Sequence, residues 1–122
     1  MPRSPGVNGP PQTLSIETRR ESAATVVSLR GSAGPGCARQ LRPALTDLIR
    51  QGSRQIVLDL ADVQSIGSEG LGSLVAAQLR LRTRGGAIKL LNPNAEVRQL
   101  LEQTNLTQLF AIYANLREAI SA

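Results

Sequence analysis

Apolar and polar residues first alternate along the chain at Leu14-Ser15-Ile16-Glu17, with the period of two that a half-buried strand requires. A polar turn, Arg19 to Ser22, leads into the β-branched run Thr25-Val26-Val27-Ser28-Leu29. The two segments predict a hairpin. Beyond the glycine-rich stretch Gly31 to Gly36, the spacing changes. Leu41, Leu45, Leu48 and Ile49 recur at helical intervals, with Arg39, Arg42 and Arg50 on the other side and Gly52 as a stop. Ile56-Val57-Leu58-Asp59-Leu60 is a continuous apolar run broken once, as expected of a central strand covered on both faces.

The spacing predicts a second helix from about Ser68 to Arg84, with its apolar stripe on Leu71, Leu74, Val75 and Leu79. Arg80, Arg82 and Arg84 complement the negative end of its dipole, and Gly85-Gly86 ends it. Ala87 to Leu91 reads as the next strand. Asn94, after Pro93, is a suitable N-cap for a helix bearing Val97, Leu100 and Leu101. Leu109 to Tyr113 reads as a last short strand, and Asn115 as the cap of a final helix with Leu116, Ala119 and Ile120. The order ββαβαβαβα implies an α/β fold with a mostly parallel sheet of four to five strands, opened by a hairpin and carrying four helices.

At 122 residues this is one domain. Residues 1–12 hold four prolines and two glycines and read as a flexible tail, leaving 13–122 as the folded unit. The only aromatics are Phe110 and Tyr113, so the core is aliphatic. A formal charge of +5 raises the question of nucleic acid, but the arginines are scattered and no aromatic residues interleave with them to stack on bases. An acidic protein partner, steered by charge, is the better use.

Cys37 stands alone and there is no histidine, which removes a disulfide framework, the usual metal ligands and the usual general base. No cofactor, no metal and no catalysis are expected. The first twelve residues lack the apolar run of a signal peptide, and no stretch has the length of a membrane span. Asn105-Leu106-Thr107 matches a glycosylation sequon that is idle without secretion. The expected location is the cytoplasm, without membrane insertion. The oligomeric state is open, since a hairpin edge is free to pair with a second copy.

In open α/β sheets, functional groups gather beyond the carboxyl ends of the strands. That rule selects Asp59, the loop Ala61 to Gly67, and the start of the helix at Ser68. Nucleotide and nucleophile motifs fail there on named residues. No Lys follows a last glycine, as a phosphate loop requires. Gly67, Gly70 and Gly72 have the reverse of the dinucleotide spacing, and Ile66 stands where a nucleophile elbow needs glycine. A serine in the first turn of a helix has two readings. It caps orphan backbone N–H groups, or, once phosphorylated, it sets nearly two negative charges on that helix end. Gly70 and Gly72 each cost a helix roughly 1 kcal/mol, so they imply either close strand–helix packing or close approach of a partner.

The run Ile56 to Leu60, the junction VQSIGSEGLG at Val63 to Gly72, the long helix with Gly85-Gly86, and Asn92 to Leu109 together resemble the STAS domain. Within it the chain is most similar to the bacterial anti-sigma factor antagonists. The resemblance covers residues 13 to 120. It implies partner switching in transcription regulation: the unphosphorylated antagonist binds a GHKL-type serine kinase that doubles as an anti-sigma factor, and phosphorylation releases it. By position Ser68 is then the phosphoacceptor. Asp59, Ser65, Ile66, Gly67, Ser68, Glu69, Gly70, Leu71 and Gly72 form the partner-binding segment. The chain departs from the family at Gly67, where an acidic residue is usual, at Glu69, where a small one is, and at Gly34, where Asp is common. A STAS subunit that is never phosphorylated, in a signalling scaffold or a lipid-transport ABC system, is an alternative. A small-ligand or nucleotide-binding domain is another, which the missing phosphate-cradling Lys disfavours.

Overall fold

The structure is a computed structural model that describes residues 14–31 and 37–121. The tail at 1–12 and Gly34 lie outside the described residues. Nine elements follow in order: β1 (Leu14–Glu21), β2 (Ala24–Gly31), α1 (Cys37–Arg50), β3 (Gln55–Val63), α2 (Gly67–Arg82), β4 (Ala87–Leu91), α3 (Ala95–Gln103), β5 (Ala111–Tyr113) and α4 (Leu116–Ser121). The order predicted from the sequence is the one observed.

The strands lie side by side in chain order, β1-β2-β3-β4-β5. β1 and β2 pair antiparallel as the predicted hairpin, and the remaining neighbours pair parallel. Alternation along the strands divides the core in two. Val27, Leu29, Ile56, Leu58, Leu60, Ile88 and Leu90 point to one face, where Leu41, Leu45 and Ile49 of α1, Leu71, Leu74 and Leu81 of α2, and Val97 and Leu101 of α3 cover them. Val26, Val57 and Leu91 point to the other, under Ala119 of α4. Lys89 shares that second face and is 8% exposed, with its ammonium donating to the Ala119 carbonyl at 2.9 Å. A cation at the end of a helix completes its last carbonyls.

The structure moves four expectations. β1 runs to Glu21, so the turn is Ser22-Ala23, with Ser22 at φ 57°. β3 runs to Val63, because β2 continues to Gly31 beyond an irregularity at Ser28/Arg30 and pairs Arg30 with Asp62 and Gly31 with Val63. β5 is confined to three residues. The apolar stripe of α2 is rotated from the predicted one. Leu71, Leu74, Ala77, Gln78 and Leu81 are buried, whereas Leu79 is 54% exposed. The helix packs on the sheet beneath it and against α1 at its side, so it buries two flanks rather than one stripe.

Candidate functional site

The extension of β3 leaves only Gln64, Ser65 and Ile66 between the strand and α2. This loop is pinned from both sides. Ile66, 2% exposed, packs into the main core. Asn94, in the loop after β4, donates through Nδ2 to the Val63 carbonyl at 3.0 Å and to the Gln64 carbonyl at 2.9 Å. The same side chain accepts from the Val97 amide at 2.8 Å, which is the N-cap bond of α3. One asparagine therefore fixes the entry to α2 and the start of α3 together.

α2 opens on Gly67 at φ 62°, a left-handed backbone that glycine adopts without strain. That geometry accounts for a glycine where the family resemblance leads one to expect an acid. The cap position falls on Ile66, with no side-chain cap bond. Ser68 is the second helical residue, exposed, and its hydroxyl bonds to no described residue. The capping reading of Ser68 is therefore corrected: it stands two residues past the cap position. Glu69 follows, exposed, in the first turn, where a carboxylate suits the positive end of the dipole.

The nine residues of the predicted partner-binding segment separate into three groups. Ser65, Gly67, Ser68, Glu69 and Gly72 reach the surface. Ile66, Gly70 and Leu71 face inward, Leu71 being 4% exposed, and serve to anchor the segment rather than to touch a partner. Asp59 is not brought to the site. It shares the Val57 face of β3, opposite α2, and its carboxylate accepts from the Ala61 amide at 3.1 Å. Gly72 lies open, for a Cβ built there meets nothing within 4 Å, so internal packing does not require that glycine.

Beside Ser68 runs a cleft of about 200 Å³ whose far wall is α3. Ser65, Gly67 and Ser68 line one side and Glu96, Gln99 and Gln103 the other, with Val97 and Leu100 between. None of its described lining residues is Lys or Arg. The α3 residues were missed from the sequence. The rule of strand carboxyl ends, applied to β4 as well as β3, selects the Asn92-Pro93-Asn94 loop and so the start of α3. Among the described residues no helix is long and apolar enough to cross a membrane.

Comparisons with known proteins agree with this geometry. Residues 16–116 match the family model described as "Mlab, STAS domain". A relative from Thermotoga maritima is 35% identical over 74 residues, 61% of this chain and 66% of its own, so the match spans just under two thirds of that protein. The anti-sigma F factor antagonist of Paenibacillus polymyxa is 27% identical over 109 residues, 88% of this chain and 93% of that one. Among solved structures, an anti-sigma factor antagonist from Mycobacterium paratuberculosis superposes with a TM-score of 0.83 at 23% identity, covering 92% of this chain and 95% of that one. The antagonist SpoIIAA, solved unphosphorylated and phosphorylated, gives TM-scores of 0.77 and 0.70 at 23% and 22% identity; 88% of this chain is covered in each, and 94% and 97% of the SpoIIAA chains. At these identities the likeness is one of fold.

Proposed function

This chain belongs to the STAS-domain family, and from that premise we propose that it is a cytoplasmic anti-sigma factor antagonist without a catalytic step of its own. It docks a GHKL-type serine kinase that doubles as an anti-sigma factor, and phosphorylation of Ser68 ends the contact. The observation that carries the reading is the placement of Ser68. Its hydroxyl is exposed, bonds to none of the described residues, and lies on the rim of a cleft whose other wall bears Glu96.

The physical logic of a switch follows from the charges. A phosphate on Ser68 adds close to two negative charges beside Glu69 and Glu96, in a cleft whose described lining residues include no cation to receive them. Charge of one sign accumulates on a surface meant for close contact, and the desolvation and repulsion fall on the partner. The free N–H groups at the start of α2 hold the phosphate in place without a change of fold.

Incubation with the cognate kinase and ATP, followed by mass mapping, tests the reading. One phosphate on Ser68 is expected, with kinase affinity falling at least about tenfold in Ser68→Asp. No phosphate on Ser68, together with wild-type binding by Ser68→Asp, sinks the switch. A second reading, a STAS subunit never phosphorylated within a signalling scaffold or lipid-transport assembly, draws on Gly67 and Glu69. Glu69 already supplies permanent charge beside the cleft. It requires tight binding to a partner that leaves Ser68 unmodified in the presence of ATP.

A further inference from the structure

We infer that the outer face of α1 and α2 is a second docking surface, built for an acidic amphipathic helix of a protein partner. It lies on the flank of α2 away from the Ser68 cleft and does not rest on the antagonist reading.

The first observation is where the charge sits. α1 carries Arg39, Arg42 and Arg50, and α2 carries Arg80 and Arg82. Arg54 and Arg84 stand in the adjoining loops. All seven are exposed, and Asp47 and Glu69 are the only acids in the same segments. The excess is five positive charges, the whole of the chain's formal +5, because the other seven cations and seven acids cancel. Arginines that look scattered along the sequence are gathered by the fold on two adjacent helices and the loops that close them. A surface of this sign selects an acidic partner and raises its encounter rate.

The second observation is shape. Between the helices runs a groove of about 540 Å³. Leu45, Ile49 and Ala77 form its floor, and Arg42 and Arg80 rise from opposite helices at its edges. The lining residues recur at i, i+3, i+4 and i+7 on each helix, so the groove is about two turns long. Of the α2 residues that line it Ala76 and Arg80 are exposed, and beside Ala76 on the outer face of the helix stand Gly72 and Leu79, the one exposed large hydrophobic among the described residues. An apolar trough flanked by guanidinium groups matches a helix with leucines along one side and carboxylates at the margins. A nucleic-acid backbone offers nothing apolar for the trough and no aromatic side chain here offers it a stacking surface.

The test uses the full chain and a fluorescein-labelled helical peptide with Leu on one face and Glu on the other, read by fluorescence anisotropy and by amide-shift mapping. Saturable binding is expected, with shifts centred on Thr46, Ala76 and Leu79. The double variant Arg42→Glu, Arg80→Glu is expected to bind at least about tenfold more weakly with its circular dichroism unchanged, and to prefer the same peptide made with Lys in place of Glu. Ser68→Asp is expected to leave peptide binding unaltered, which separates this surface from the switch. The inference is overturned if the peptide does not bind or if the charge-swapped pair shows no preference. It also fails if duplex DNA or phosphatidylglycerol vesicles displace the peptide from the same residues, or if Ser68→Asp abolishes the binding.

Discussion

Gln78 sits 3% exposed in the middle of α2, and both ends of its amide are used. Its Nε2 donates to the Leu109 carbonyl at 2.7 Å, and Oε1 accepts from the Ile88 amide at 2.7 Å. The side chain thus ties α2 to the start of β4 and to the turn before β5. Replacing it by Leu takes these partners from the buried Ile88 N–H and the part-buried Leu109 C=O. Gln78→Leu is expected to lower stability by about 2–4 kcal/mol in urea unfolding. Two glycines give a contrasting pair. A Cβ at Gly72 meets open space, so Gly72→Ala is expected to raise stability by about 1 kcal/mol while weakening any partner that packs against that backbone. A Cβ at Gly86 falls on the Arg54 carbonyl, so Gly86→Ala is expected to lower the melting temperature clearly in the same assay. From sequence Gly72 reads as a mark of close packing or of a partner's approach and Gly86 as a helix end; only their neighbours in space separate these readings.

At the scale of elements, Asn94 couples two of them. Asn94→Asp keeps an acceptor for the Val97 amide but turns a carboxylate toward the Val63 and Gln64 carbonyls. Asn94→Ser keeps the cap and drops the tie. The Ser variant is expected to cost about 1–2 kcal/mol and the Asp variant more. Faster amide exchange at Ser65 to Ser68 in both, with α3 still helical by circular dichroism, is the measurement that checks it. Element types and order were legible because the periods of two and 3.6 barely overlap in this chain. Ile56 to Leu60 announces a strand as clearly as Leu41 to Ile49 announces a helix. Boundaries were less legible. β3 gains Ala61 to Val63 through pairing with Arg30 and Gly31, which no local pattern in Ala61-Asp62-Val63 reveals. The candidate site was legible in one of its walls. The junction at Ser65 to Gly72 shows in the chain's own order, whereas Glu96 and Gln99 join it only through the adjacency of β3 and β4.

The whole molecule is asymmetric about its sheet. The cluster beneath α1, α2 and α3 contains most of the buried residues, while the one beneath α4 rests on Ala24, Val26, Val57, Leu91 and Ala119. α4 is six residues long and β5 only three. Native-state hydrogen exchange is expected to release α4 and β5 well before β2, β3 and β4, in two separable steps. A single step for all amides contradicts this. Strand order carries a further consequence. Because each strand lies beside its immediate predecessor, no segment has to wait for a later one to open a gap and insert. The sheet can be laid down in the direction of synthesis, each new helix closing over the strand just placed, so the growing chain shows its ribosome-distal half as a template and never as an unpaired interior.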